Sequence, residues 1–286
     1  MMTMNRNDDE LEMNWTATAV DVSDDESVVA IDSEDDFEEE MELELASGVK
    51  RSREKESADV KMDNVDENFV KKQKTVKGPA YNGKGLHKMK ESEHCKIVND
   101  MYIKHRGGKM TSLELADGLN ESHFLAPVSL GKHRLELLPS YIHRLLPTYK
   151  KEFLGKGKRR DKSPVLLILC SSALRCVELI KHLTSFKCRV AKLFGKHLKE
   201  DKQAKKLADN YFPIAVGTPA RVKKLLEMRA LSMNFTKRVI FDMEKDKKQF
   251  TVLDLKDAAT EMMDLLQFHF LPQLNKEDSN MKIVLF

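Results

Sequence analysis

Apolar residues begin to recur with a regular period only from about Ser112 onward. Leu113, Leu115, Ala116 and Leu119 keep helical spacing, and Leu135, Leu138, Tyr141, Ile142 and Leu145 predict a second helix that Pro147 closes. Beyond it, short apolar runs of strand length at 165–170, 189–194, 213–216, 238–241 and 282–286 alternate with helical patterns. Those helices are expected through Leu174, Val177, Ile180 and Leu183, over about 199–209, through Val222, Leu225 and Leu226, and over 255–270. Short apolar strands joined by helical crossovers imply an α/β fold with a mainly parallel sheet covered on both faces.

Two strand-to-helix junctions in this section look alike. Ser171-Ser172-Ala173-Leu174-Arg175 follows the first strand, and Gly217-Thr218-Pro219-Ala220-Arg221 follows the third. Ser172 and Thr218 stand at N-cap positions, where a hydroxyl accepts a hydrogen bond from a free amide, and Pro219 suits the first helical residue. Each cap is followed three residues later by an arginine, where a capping box favours Glu or Gln. A cation there opposes the positive helix terminus by on the order of tenths of a kcal/mol, and a bound anion reverses that sign. Amides, hydroxyl and guanidinium would converge on one phosphate at each ledge, so Ser171, Ser172, Arg175, Gly217, Thr218 and Arg221 are the candidate RNA-phosphate-binding residues. The competing reading makes both arginines solvent-facing and both ledges purely structural caps.

Charge changes the picture of the rest. The total is nearly balanced, Lys+Arg 49 against Asp+Glu 46, yet about seventeen carboxylates and one base occupy the first forty-five residues. The remainder is therefore basic by about nineteen charges. Residues 1–47 carry too little apolar surface to offset their ordering entropy and read as a disordered acidic tail, with Trp15, the one tryptophan, inside it. Ser23 and Ser33 precede acidic runs, as acidophilic phosphorylation sites do. Residues 48–110 read as a basic, largely disordered linker. Within it Lys50, Arg51 and Arg53, then Lys71, Lys72 and Lys74, form two clusters suited to nuclear localisation or loose nucleic-acid contact. Residues 111–286 are the expected folded domain.

The chemistry of metals and cofactors finds little support. Cys95, Cys170, Cys176 and Cys188 form no C-x-x-C pair, and the nine histidines show no zinc-ligand spacing, so reduced thiols and no metal are expected. No apolar run reaches membrane-span length, and the acidic N-terminus lacks the pattern of a signal peptide. Gly78-Pro-Ala-Tyr-Asn-Gly83-Lys84 formally satisfies G-x-x-x-x-G-K, but Gly85 takes the place of the Mg²⁺-holding hydroxyl and no buried strand precedes it. Gly155-Lys-Gly157-Lys158-Arg-Arg160 lacks the spacing as well. No cofactor is expected.

The order of motifs resembles the first RecA-like lobe of DEAD-box RNA helicases. Cys170 to Leu179 stands where that family has Pro-Thr-Arg-Glu-Leu-Ala, and Gly217-Thr218-Pro219-Ala220-Arg221 is similar to its Thr-Pro-Gly-Arg motif, both of which grip the RNA backbone there. Asp242-Met243-Glu244-Lys245 falls where the Asp-Glu-Ala-Asp box belongs, with only Asp242 matching in place. Tail, basic linker, the two junctions and the degenerate box together closely resemble the Cms-type family of nuclear proteins, associated with early precursors of the small ribosomal subunit. The resemblance implies a non-catalytic nuclear and nucleolar assembly factor with a degenerate helicase lobe. Pre-ribosomal RNA and small-subunit assembly proteins are its implied partners, with no membrane. The alternatives are a nucleotide-dependent ATPase completed by a partner, or a scaffold that binds only protein.

Overall fold

A parallel sheet organises the chain, and every strand expected from the apolar runs is in it. The structure is a computed structural model that describes residues 85–106, 118–125, 130–131, 134–154, 162–195, 198–245 and 250–286, all within one compact unit, Lys61–Phe286. The acidic tail with Trp15, Ser23 and Ser33, both basic clusters at 50–74, the two glycine-lysine runs at 78–84 and 155–160, and the helical pattern at 113–116 lie outside these residues. In chain order the elements are α1 (Glu91–Arg106), α2 (Leu138–Leu145), α3 (Tyr149–Leu154), β1 (Leu166–Leu169), α4 (Ala173–Lys181), β2 (Val190–Leu193) and α5 (Glu200–Asp209). They continue with β3 (Ile214–Gly217), α6 (Pro219–Glu227), β4 (Arg238–Phe241), α7 (Lys256–Leu265), α8 (Leu271–Leu274) and β5 (Lys282–Leu285). The sheet order is β2-β3-β1-β4-β5, and every pairing is parallel.

The alternating side chains of a strand serve two cores here. Leu167 and Leu169, Ala191 and Leu193, Ala215, Val239 and Phe241, Ile283 and Leu285 belong to one buried cluster with residues of α1, α6 and α7. The residues of opposite parity, Leu166, Ile168, Ile214, Val216, Ile240 and Val284, are fully buried as well. Both faces are therefore covered, which is why the strands read as continuous apolar runs rather than alternating ones. The Tyr141 ring of α2 packs tilted against Phe286, 5.0 Å between centroids, and its hydroxyl donates to the Leu285 carbonyl, tying α2 to the end of β5. No helix of the described residues is long and apolar enough to cross a membrane.

Two local features depart from the sequence expectation. The stretch 48–110 contains a sixteen-residue helix, α1, that the linker reading passed over. His94, Cys95, Val98 and Tyr102 form its buried stripe at intervals of three to four, amid a surface rich in Lys and Glu. Gly85, at φ 85°, opens the short 3-10 turn Leu86–Lys88 that precedes it. Arg106 at its end pairs with Asp264 of α7, and Lys223 of α6 joins the same cluster through Asp264 at 2.5 Å and Glu261 at 2.8 Å. The single helix expected over 255–270 widens into a π turn at Leu266–Phe270 before α8. Pro272 supplies the reason, since it has no amide to give the Phe268 carbonyl and its ring would crowd it.

Among the described residues three other than glycine adopt left-handed backbone: Lys162 at φ 51°, Lys187 at φ 49° and Arg229 at φ 55°. All three lie in connections that lead into the amino ends of strands, before β1, β2 and β4 respectively. Such positions ordinarily take Gly or Asn, because a side chain there meets its own backbone.

Buried histidines make the fold sensitive to acid. Burial holds His94 below its usual 6.5, against the pull of the Leu86 carbonyl, Glu93 and Glu91. Burial and the nearby Lys282 hold His123 down in the same way, against a hydrogen bond with Asn275, and the Asn120 amide donates to its Nδ1. His105 and His269 shift in the same direction, also chiefly by burial. Below about pH 6.5 the unfolded chain binds protons that the folded chain refuses, so stability rises with pH there and is lost as pH falls. Thermal denaturation of the full chain should give a Tm that drops from pH 7 to pH 5.5. His94→Gln, which keeps a donor for the Leu86 carbonyl 3.2 Å away, should flatten that drop; an unaltered slope would remove His94 as its source.

Candidate functional site

The two hydroxyl-capped junctions sit side by side at the carboxyl edge of the sheet. β1 and β3 are adjacent with Leu169 level with Gly217, and the Cys170 amide donates to the Gly217 carbonyl at 3.1 Å. Ser172 is the N-cap of α4, its hydroxyl accepting the Arg175 amide at 3.2 Å. Thr218 caps α6 by backbone conformation alone, with Pro219 as the first helical residue. Its hydroxyl makes no capping bond, and its amide goes to the Leu193 carbonyl of β2 at 3.0 Å.

Gly217 is required by packing. A Cβ there would lie 2.5 Å from the Leu193 carbonyl oxygen and 2.9 Å from Val222 Cγ2. The glycine lets β2 and α6 close on the end of β3, a role independent of any ligand.

The anion that an arginine beyond the cap calls for is supplied from within the chain. β4 flanks β1 on the side opposite β3, with Phe241 level with Leu169, so the next residue, Asp242, arrives beside α4. Its amide donates to the Leu169 carbonyl at 2.9 Å. Arg175 donates Nε to Asp242 Oδ2 at 2.7 Å and Nη2 to Oδ1 at 3.0 Å, a two-point pair, while Nη1 reaches Glu178 Oε2 at 3.0 Å. Asp242 is 1% exposed. Burial pushes its carboxyl above the ordinary carboxylate range, against the pull of Arg175. For Arg175, burial works against the charge, but the bonds and charge of Asp242, with Glu178 behind it, raise its pKa on balance and keep it ionised.

Arg221 is also occupied. It donates to the Leu198 carbonyl at 2.8 Å and to Gln203 Oε1 at 3.0 Å, with Glu200 3.9 Å away. Its guanidinium lies under Gly195, 3.1 Å from where a Cβ would stand. Gln203 in turn donates to the Lys192 and Phe194 carbonyls, so Arg221 and Gln203 together brace the turn that leaves β2.

The structure thus brings all six expected ledge residues to one edge, but with different roles. Arg175 and Arg221 are half-buried, and each makes side-chain bonds within the protein that brace the edge. Ser171 is half-buried, Ser172 exposed and Thr218 half-buried, and these present the polar surface of the edge. Sequence reasoning singled out Asp242 as the one matching residue of a degenerate box and Arg175 as an ill-placed cation. Their pairing was the residue-level fact it missed, and the strand order is the signal that links them. Behind them Cys170 Sγ lies 3.1 Å from Cys176 Sγ, both fully buried. Burial, then the contact with Cys176, drives the Cys170 thiol well above its usual range, which leaves it protonated and unreactive.

A buried pair is costly to break from one side. Arg175→Ala or Asp242→Ala should each lose about 3–5 kcal/mol in urea denaturation, because each leaves an uncompensated charge. The double variant Arg175→Met/Asp242→Leu should recover most of that loss; a double variant as unstable as the sum of the singles would dismiss the clamp.

Comparison with known proteins places this arrangement in a family. Protein CMSS1 of Xenopus laevis is 38% identical over 132 residues, covering 45% of this chain and 47% of that protein. Protein CMSS1 of Homo sapiens is 33% identical over 195 residues, covering 67% and 66%. Protein CMS1 of Chaetomium thermophilum is 32% identical over 166 residues, covering 56% and 65%. The chain thus spans about half to two thirds of the length of these relatives. Residues 37–286 match the profile of the family described as CMS1, U3-containing 90S pre-ribosomal complex subunit, and the chain belongs to that family.

Proposed function

We propose that the chain is a non-catalytic factor of early small-subunit assembly, acting in the nucleus and nucleolus, whose α/β lobe docks on pre-ribosomal RNA or protein. Family membership supports the setting. The observation that carries the non-catalytic part is the state of Asp242, the one carboxylate matching the helicase acidic box: it is 1% exposed and held at two points by Arg175. A carboxylate that is to hold a metal ion or orient an attacking water must present its lone pairs to the site. Here two are spent inside the protein, and of the three positions that follow Met243 is buried, Glu244 is exposed and Lys245 is a cation.

On this reading the carboxyl edge retains the shape of an RNA-gripping ledge with the grip redirected inward. Ser171, Ser172 and Thr218 offer hydroxyls to a partner's phosphate or carbonyl groups, and Arg175, Gly217 and Arg221 hold those residues in place. The basic clusters Lys50, Arg51, Arg53, Lys71, Lys72 and Lys74 would carry the chain into the nucleus and add salt-sensitive affinity for nucleic acid. The acidic tail suits basic ribosomal proteins or competition with RNA for the chain's own basic surface.

The purified full chain, assayed with Mg-ATP in the presence and absence of RNA, should turn over no nucleotide above the blank. In cell extracts fractionated on a gradient it should travel with large pre-ribosomal particles. Steady-state hydrolysis that co-purifies with the chain would overturn the non-catalytic reading, and absence from the particles would overturn the assembly role.

A further inference from the structure

The opposite edge of the sheet carries a concentration of positive charge that the ledges do not explain. In register across the sheet, Val190, Ile214, Leu166, Arg238 and Lys282 stand level at the amino ends of the five strands. Arg189 therefore precedes β2, Lys237 precedes β4, Arg238 opens β4 and Lys282 opens β5 along one line. Lys162 leads into β1 and Lys187 into β2. The loop before β4 runs beside residues 162–165: Ser232 donates to the Lys162 carbonyl at 3.0 Å, Phe235 to Ser163 Oγ at 2.9 Å and Lys237 to the Val165 carbonyl at 2.8 Å. Arg229 belongs to the same loop.

Little of this charge is neutralised. Lys237 pairs with Glu152 at 2.5 Å, and among the described residues that is the one ion pair the row makes. Arg238 donates to three carbonyls, of Leu145, Lys237 and Asn280, and Lys282 to the carbonyl of Ser122. Arg189 donates to the side chain of Asn210, and Asp209 before it is exposed. Lys162, Lys187 and Arg229 are exposed. Phe235, 51% exposed, stands in the middle of the row.

The backbone adds an independent observation. Among the described residues, all three that adopt the left-handed conformation without being glycine, Lys162, Lys187 and Arg229, are basic and belong to this edge. Arg229 follows the C-cap of α6, Met228, and Lys187 is the C-cap of the turn Thr184–Phe186, both places where glycine is the least strained choice. A long cation at such a position keeps a conformational cost for the fold, so the side chain serves something other than the fold.

We infer that the amino edge of the sheet is a second docking surface, which binds single-stranded RNA through Lys162, Lys187, Arg189 and Arg229 on its phosphates and Phe235 against an unpaired base. From β2 to β4 the row spans three strand spacings, about 14 Å, room for about four phosphates at the 3.4 Å rise of a helical strand. An exposed aromatic among cations without carboxylate partners fits stacked, unpaired bases better than a duplex, whose bases are hidden. The choice of RNA rests on the proposed assembly role, while the location of the surface does not.

The left-handed positions provide a test in which loss of function and loss of fold move apart. Binding of the full chain to a fluorescein-labelled 20-nucleotide RNA is followed by anisotropy across a salt series. The triple variant Lys162→Gly/Lys187→Gly/Arg229→Gly should have an equal or higher Tm than the parent, yet bind at least tenfold more weakly at low salt. Its log–log salt slope should fall by about 2, the three phosphate contacts at 0.7 each. Phe235→Ala should weaken binding roughly tenfold with the slope unchanged. A control triple, Lys96→Gln/Lys104→Gln/Lys224→Gln, removes the same charge from exposed positions on helices α1 and α6 and should bind like the parent. Equal loss in both triples, or no loss in the glycine triple, overturns the surface, as does a parent that binds no RNA. Loss of binding to a labelled polyglutamate peptide with RNA binding intact would also overturn it, in favour of an acidic protein partner. None of these outcomes bears on nucleotide turnover or particle association, so the edge can fail while the assembly role stands.

Discussion

The structure depends on the complete burial of β1. Leu166 to Leu169 are wholly inaccessible and lie between β3 and β4, with helices over both faces of the sheet. A strand so enclosed must pass its backbone hydrogen bonds to its neighbours without a gap. At its carboxyl end the Cys170 amide takes the Gly217 carbonyl, and the Leu169 carbonyl takes the Asp242 amide. Three chain segments therefore leave the sheet at one level, and the residues that follow, Ser172 to Arg175, Thr218 to Arg221 and Asp242, are set against one another before any ligand is considered.

That meeting point explains why two cations persist where a helix terminus disfavours them. The terminus of α4 would ordinarily welcome a carboxylate in its own first turn. It receives one from β4 instead, with Arg175 as the intermediary. Such a pair adds little net stability over apolar residues of the same size, since two desolvation costs offset the attraction. What it fixes is relative position: α4 cannot slide along β4 without exposing an unpaired buried carboxylate. Arg221 does the same for the turn after β2 with neutral partners, the Leu198 carbonyl and Gln203. Both arginines thus tie the carboxyl edge together from within the protein.

The strands were legible because doubly buried parallel strands carry their whole signal in a run of four to six apolar residues, and the caps because Ser172 and Gly217-Thr218-Pro219 act through adjacent residues. Helix α1 was harder. Its buried stripe is narrow, with His94 occupying a core position, so its charged surface read as linker. The widening at Leu266–Phe270 is in principle readable from Pro272, given attention to the amide a proline cannot supply. The partners of Arg175 and Arg221 lie 67 and 18 residues away, and the first follows only from β4 adjoining β1. Local spacing predicted that an anion was wanted; which anion depended on the topology.

The two ends of the sheet therefore differ in how they treat charge. At the carboxyl edge the arginines find partners inside the protein, a carboxylate pair for Arg175 and a carbonyl and an amide oxygen for Arg221. At the amino edge the cations rest mostly on carbonyl and amide oxygens, which satisfy hydrogen bonds without cancelling charge, so the field they project into solvent survives. Folding alone accounts for the first arrangement and not for the second. Glycine at 162, 187 and 229 would relax the backbone, and a neutral residue at 189 would lessen mutual repulsion; the chain has neither. A charge pattern that the fold would be easier without marks the surface where the partner supplies the missing anions.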